Sequence, residues 1–325
     1  MAASNTYSTT NLGSAVSNTE DLERGLTIIA PSLYPVYANS KKEKTSAVNP
    51  EYTVDTFAAV DTTPVAEGAD STAFSDAFDQ QARVYNYVQT IKRDVQVTDD
   101  QELVDSASGV NYANAIVKGT KELLRSCEAV ILGQQARAIS GSTRTTSGIA
   151  EQLSGSSVMF EDAYQCPSAQ VVSATDPTEA NVDTVLRSIS DNAGTPKQLR
   201  VYAGSAWLSD FASNTVRLSD ASATPGYTLN FNGEKGVVKN RIRLYEGQHG
   251  AVEVADLNAD TLYDTANKDM AYFIDHDHLV IKELGGMINK ELPDLGGGRR
   301  ATLRKKIAPC VKNPLAMAYW DAVSA

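Results

Sequence analysis

Asp275-His276-Asp277-His278 is the densest run of metal-ligand types in the chain and holds two of its three histidines. A zinc-like ion needs three or four such side chains converging on one point. On a strand, alternate residues share a face, so His276 and His278 would converge while Asp275 and Asp277 point away. No H-E-x-x-H or equivalent second ligand set accompanies them. The run reads as a polar turn after the FID strand, with a small-oligomer, metal-dependent hydrolase using His276 and His278 as the enzymatic alternative. Serine is abundant and His249 sits in a loop context, but no G-x-S-x-G elbow presents a nucleophile. LGGGRR lacks P-loop spacing and its Lys-Ser/Thr, and no G-x-G-x-x-G follows a strand. The sequence therefore offers no catalytic residue, no cofactor and no metal site that survives weighing.

Charge placement does survive. Between Lys44 and Arg83 every charge is acidic: Glu51, Asp55, Asp61, Glu67, Asp70, Asp76 and Asp79. Near the other end, Arg299, Arg300, Arg304, Lys305, Lys306 and Lys312 stand with no acid between Asp294 and Asp321. Taken singly, the first run is a solvated face and the second a charged edge that discourages strand-to-strand aggregation. Taken together they complement each other. Glu51, Asp55, Asp61, Glu67 and Asp70 on one copy, against Arg299, Arg300, Arg304, Lys305 and Lys306 on the next, would form a head-to-tail interface of the kind that closes rings. The net charge of -11, from 29 basic and 40 acidic residues, opposes tight DNA binding through phosphate contacts.

Structural elements must carry these charges. The chain has 325 residues, 42% hydrophobic and 21% charged, which is enough for two domains and a substantial core. Met1–Asn18, rich in Ser, Thr, Asn and Ala, reads as an arm. Leu26–Tyr37 reads as an extended strap because two prolines interrupt its apolar residues. EYTVDTFAAV and RVYNYVQTIKRDVQV alternate like strands around the turn-rich TTPVAEGAD, so Lys41–Val97 reads as a long two-stranded excursion bearing the acids. Ala113, Val117, Thr120, Leu124, Cys127 and Ile131 recur at helical spacing and predict one long helix, with Cys127 an inert thiol on its apolar stripe. SGSTRTTSGIAEQLSGSS reads as a mobile loop. Asp176, Pro177 and Glu179 predict a capped helix start, followed by an apolar face of Val182, Val185, Leu186 and Ile189. QLRVYAGS, MAYFID and LVIKEL predict strands, SAWLSDFASN a short helix, RIRLYEG and AVEVADL a hairpin, and ATLRKKIAPCVKNPLAMAYW a final pair. The sum is a mixed α+β chain. Three cysteines without C-x-x-C spacing indicate neither a disulfide framework nor a zinc ribbon. No apolar run reaches the ~18 residues of a membrane span, and the N-terminus lacks a secretory signal, so the chain reads as neither exported nor membrane-inserted.

The strings PVAEGAD, VYNYVQTIKRDVQVTDDQELVDSAS, NYANAIVKGTKELLRSCEAVILG, RIRLYEGQHGAVEVADL and KNPLAMAYWDA stand in an order and spacing that resembles a known family over roughly residues 30–325. That family is the major capsid proteins of tailed bacteriophages, with the HK97-like fold named after phage Hong Kong 97. The resemblance implies an N-terminal arm (1–39), a two-stranded extended loop (40–95), and a peripheral domain (96–170) with a spine helix at 112–138. An axial domain (171–285) and return strands of the peripheral domain (286–325) complete it. It implies a structural role: self-assembly as pentamers and hexamers into an icosahedral head shell enclosing phage double-stranded DNA. Implied partners are further copies of the chain, a scaffolding protein, a portal, a decoration protein, and packaged DNA held without sequence-specific contacts, with no membrane. The implied location is the virion, after assembly in the host bacterial cytoplasm. An encapsulin-type nanocompartment shell is the alternative within the same fold. The isopeptide cross-link of some members would draw on Lys41, Lys42 or Lys44 and Asn313, yet only Asp321, and no Glu, follows Asn313.

Overall fold

The computed structural model describes residues 34–58, 60–70, 74, 78, 80–104, 111–160, 164–173, 175–193, 199–215, 243–247, 249–257, 269–293 and 296–321. The arm at Met1–Asn18, most of the strap, and Asp76 and Asp79 lie outside them. Along the chain, helix α1 (Pro35–Asn39) precedes strands β1 (Lys41–Lys44), β2 (Glu51–Val54), β3 (Ala82–Tyr85) and β4 (Gln89–Val97). Helices α2 (Asp99–Leu103) and α3 (Asn111–Leu132) follow, then β5 (Ala138–Ser140), β6 (Thr143–Thr145) and α4 (Ile149–Gln152). Next come β7 (Val171–Ser173), α5 (Glu179–Ala193), β8 (Leu199–Ala203), α6 (Ser205–Thr215), β9 (Leu244–Gly247) and β10 (Gly250–Asp256). Strands β11 (Ala271–Asp275), β12 (Leu279–Glu283), β13 (Ile288–Leu292), β14 (Arg299–Val311) and β15 (Ala318–Asp321) complete the order.

One sheet runs β7-β15-β11-β8-β10-β9. Its central strands are apolar at nearly every position, as a sheet covered on both faces requires. Register sorts them: Tyr272 stands opposite Tyr202 and Tyr319, while Phe273 stands opposite Val201 and Ala318. The tyrosine face meets Cys127, Ile131 and Leu132 of α3 and Ile149 of α4. The other face meets Val182, Val185, Leu186 and Ile189 of α5 and Trp207 and Phe211 of α6. Trp207 stacks on Phe211 at 5.0 Å and stands edge-on to Trp320 at 5.8 Å.

The second sheet is organised by β14. Along one edge it pairs with β4, from Arg299 opposite Val97 to Ile307 opposite Gln89. On its other edge β12 and β13 lie end to end, and β1 adds to β12 in parallel. Helix α3 lies across β4 and β14, and a Cβ at Gly119 would stand 2.8 Å from Val95 and 3.1 Å from Leu303.

Several expectations are corrected. The buried face of α3 runs through Tyr112, Gly119, Leu123, Cys127, Glu128, Ile131 and Leu132, with Val117 exposed, because the helix closes on β4 through a glycine that an apolar count passes over. The helix stops at Leu132 rather than Ala138: Gly133 follows, and the Gln135 side chain folds back to donate to the Val130 carbonyl at 2.6 Å. The end of the strap forms α1, because Pro35 supplies a helical φ at its first turn. The serine-rich segment is no mobile loop: it forms β5, β6 and α4, with Thr146, Ser147, Ile149 and Ala150 buried. Helix α5 is capped by Thr178, whose hydroxyl accepts from the Asn181 N–H at 3.3 Å, rather than by Asp176. The paired strands of the acidic excursion are β2 and β3 alone, while β4 belongs to the body. The closing strands do not pair with each other: β14 and β15 lie in different sheets.

A candidate interface between copies

The acidic excursion leaves the body as the β2–β3 ladder, Glu51 opposite Tyr85 to Val54 opposite Ala82. Alternation turns Ala82 and Val84 inward onto Met159, Phe160 and Tyr164, with Tyr52 and Val54 beside them. The Tyr52 hydroxyl donates to the Val311 carbonyl at 2.7 Å. Arg137 stacks on the Tyr85 ring at 3.8 Å and donates to the Tyr85 carbonyl at 2.5 Å. At the root, buried Asn86 donates to the carbonyls of Ser147 and Pro309 and accepts from the N–H groups of Ser147 and Tyr87. Gln152 reaches the same two carbonyls and accepts from the Val311 N–H. Two buried amides thus fix the root against β14 and α4. Sequence reading missed both, because a polar residue amid strand-like text gives no sign that its partners lie 61 and 223 positions away.

Beyond the ladder the described residues are exposed. Among the described residues, Asp55, Asp61, Glu67 and Asp70 meet no cation, and Glu51 lies 3.5 Å from Arg83 in an exposed pair. The Thr63 hydroxyl and N–H hold the Asp61 carboxyl below the usual range. Apolar side chains interleave with the acids: Phe57 is 99% exposed and Phe74 88%, with Val60 and Val65 also exposed. Bulky apolar groups in water on an anchored segment are what a docking surface presents before its partner arrives.

Alternation along β14 divides the basic residues. Leu303 lies under Gly119 of α3, so odd-numbered positions face the helix and even-numbered ones face away. Arg300, Arg304 and Lys306 share that outer face, and register adds Lys92 of β4 and Lys290 of β13, which sequence alone does not bring there. The outer acid among them, Asp94, lies 2.6 Å from Lys92 and accepts from Thr302; both contacts hold its carboxyl below the usual range. Ile288, 45% exposed, stands opposite Arg304. Of the other three cations of the run, Lys312 lies 3.9 Å from Glu43, and Lys305 and Arg299 are on the opposite face. Lys305, 7% exposed, turns inward to Glu283 at 3.2 Å and to the Tyr37 ring. Arg299 pairs with Glu291 at 3.0 Å and covers the Tyr112 ring.

The sequence profile of a family described as SU10 major capsid protein matches residues 3–323. The chain belongs to the SU10 major capsid protein family. A comparison with curated protein sequences gave no significant match. Among solved structures, the capsid of an empty GTA particle is 12% identical, with a TM-score of 0.62 over 96% of this chain and 98% of that one. A chain from Mycobacterium phage Adephagia is 11% identical, with a TM-score of 0.63 over 97% and 99%. The SrpI encapsulin of Synechococcus elongatus PCC 7942 is 10% identical, with a TM-score of 0.54 over 92% of each. The SU10 family chain thus has the α+β, HK97-like capsid fold and is a structural protein of a phage capsid shell.

In this capsid protein Asp275–His278 is the tight turn between β11 and β12, closed by the His278 N–H on the Asp275 carbonyl. His276 is buried with Nε2 2.7 Å from the Tyr202 hydroxyl, whereas His278 is partly exposed beside Asp275 at 3.9 Å. Burial and Arg200 lower the His276 pKa. The histidines do not converge, and among the described residues no three metal-ligating side chains gather. Asn313 accepts from the Leu315 N–H, Lys42 lies over the Tyr37 ring, and Lys41 faces Glu43 at 3.6 Å. No described helix is long and apolar enough to cross a membrane.

Proposed function

We propose that this capsid protein assembles by seating the acidic, phenylalanine-bearing loop of one copy on the outer basic face of the β14 sheet of the next. Glu51, Asp55, Asp61, Glu67 and Asp70 then meet Arg300 and Arg304, with Lys306, Lys92 and Lys290 completing the receiving face. The observation that carries this reading is the pairing of uncompensated acids with exposed Phe57 on a rigidly rooted arm. Charge sets register and encounter, apolar burial supplies affinity, and repetition around a ring multiplies both. The shell so built is an icosahedral head of pentamers and hexamers that encloses double-stranded DNA. It assembles in the host bacterial cytoplasm with a scaffolding protein, a portal and a decoration protein. A net charge of -11 suits a container whose contents must slide. We read the role as structural, without turnover.

The test reverses three charges at once, D55K, D61K and E67K, in the full chain, scored by negative-stain microscopy and light scattering. Shells or capsomers from the parent and small species from the variant are expected, with partial rescue by K92E, K290E and R304E on the same chain. Normal shells from the triple variant would overturn the proposed contact. Nucleic acid inside purified shells supports the head; a protein cargo in its place would favour an encapsulin-type compartment.

A further inference from the structure

Phe57 stands three residues beyond the end of β2, whose Tyr52 hydroxyl ties that strand to β14. Its ring is 99% exposed, so it does not reach the β14 sheet of its own copy. The receiving face carries a feature that matches it. Directly opposed residues of neighbouring strands share a face, so Ile288 of β13, Arg304 of β14 and Lys92 of β4 form one row across the outer side. Among the described residues, Ile288 is the one large apolar side chain on the strands of this sheet that is exposed, at 45%, and Met287 just before it is 42% exposed. Asp94 is held by Lys92 and Thr302, and among the described residues Arg304 has no ion pair. Lys290 lies two residues along β13 from Ile288, on the same face. Alternate residues of an extended chain lie about 6.6–7 Å apart on one side, so Asp55 and Phe57 have the pitch of Lys290 and Ile288.

We propose that Phe57 of one copy seats on Ile288 and Met287 of the next, with its ring against the Arg304 guanidinium and Asp55 against Lys290. Resting on the loop contact proposed above, the seat gives that contact its register. Acids facing a row of like cations can slide from one to the next. A ring has one place to go: it brings apolar area to the two aliphatic side chains and the negative face of its π-system to the cation. An aromatic anchor against arginine, ringed by charged groups, is the usual composition of the few residues that dominate an interface. Phe57 is then the specificity-determining residue of the loop, and Ile288 and Arg304 are those of the receiving sheet.

Thiol cross-linking between two full-length chains tests this, since the three native cysteines are buried. One chain carries F57C and the other I288C, R300C or V117C. Arg300 lies four residues from Arg304 along β14, and Val117 lies on α3, across the sheet from the seat. A short bismaleimide added to equal amounts of the two chains is expected to give roughly fivefold or more mixed dimer with I288C than with either of the others. As much dimer with R300C as with I288C overturns the seat and leaves the loop contact standing. As much with V117C, or none with any, overturns both. In the otherwise unchanged chain, F57A should raise the concentration at which shells or capsomers form by about tenfold or more, with F57L in between. F57A assembling at the parental concentration, while D55K, D61K and E67K together do not, would overturn the seat alone.

Discussion

Burial pushes the thiols of Cys127, Cys166 and Cys310 each up to about 12, so they are protonated and inaccessible. Iodoacetamide at pH 8 is expected to label none of them in the native chain and all three after denaturation, read by intact mass. Asn86 ties the loop root together: N86A strands the N–H groups of Ser147 and Tyr87 and takes one donor from each of the Ser147 and Pro309 carbonyls, which keep Gln152. A loss of about 2–3 kcal/mol is expected in denaturant titration, with no change at the loop tip. Glu128 gives a pH dependence of definite sign. Its folded value, about 7, is raised above 4.5, so its contribution is fully present below pH 4.5 and is lost as pH rises through 7. The stability of the parent relative to E128Q should therefore fall by up to ~3 kcal/mol from pH 4.5 to pH 8.

Elements meet where side chains are absent. A Cβ at Gly148 would lie 1.9 Å from the Gly133 carbonyl oxygen, because the start of α4 rests directly on the end of α3. Backbone cannot step aside as a side chain can, so G148A should cost about 3 kcal/mol in thermal or denaturant melts. G119A meets only side chains of Val95 and Leu303 and should cost less. These contacts explain what was legible. The α5 face, the β8 and β11 strands and the β9–β10 hairpin follow from local periodicity, and register confirms them. The α3 stripe was half-read because its closest contact is a glycine and one buried position is Glu128. The acidic half of the candidate site was legible as a run of charge. The basic half was legible in part: Arg300, Arg304 and Lys306 stand in the run of charge, whereas Lys92 and Lys290 reach Arg304 only through pairing between strands distant in sequence.

For the whole molecule, Asp55, Asp61 and Glu67 make no ion pair among the described residues and Phe57 and Phe74 stand in water, so the triple reversal D55K, D61K and E67K should leave the melting temperature of unassembled chains within about 2 °C of the parent. Assembly rate should also fall as salt rises toward 1 M, where screening shortens to ~3 Å. Strand β14 carries a different consequence. It pairs with β4 across 208 positions, and β1 pairs with β12 across 239. At ~5–20 residues per second, synthesis runs for on the order of half a minute before β14 leaves the ribosome. Until then β4, β12 and β13 have no common partner, and the other sheet still lacks β15. A chain cut short before Arg299 can form neither complete sheet nor the basic receiving face. Chain order therefore makes both sheets wait for the last strands: a product cut before β14 lacks the strand that joins β4, β12 and β13.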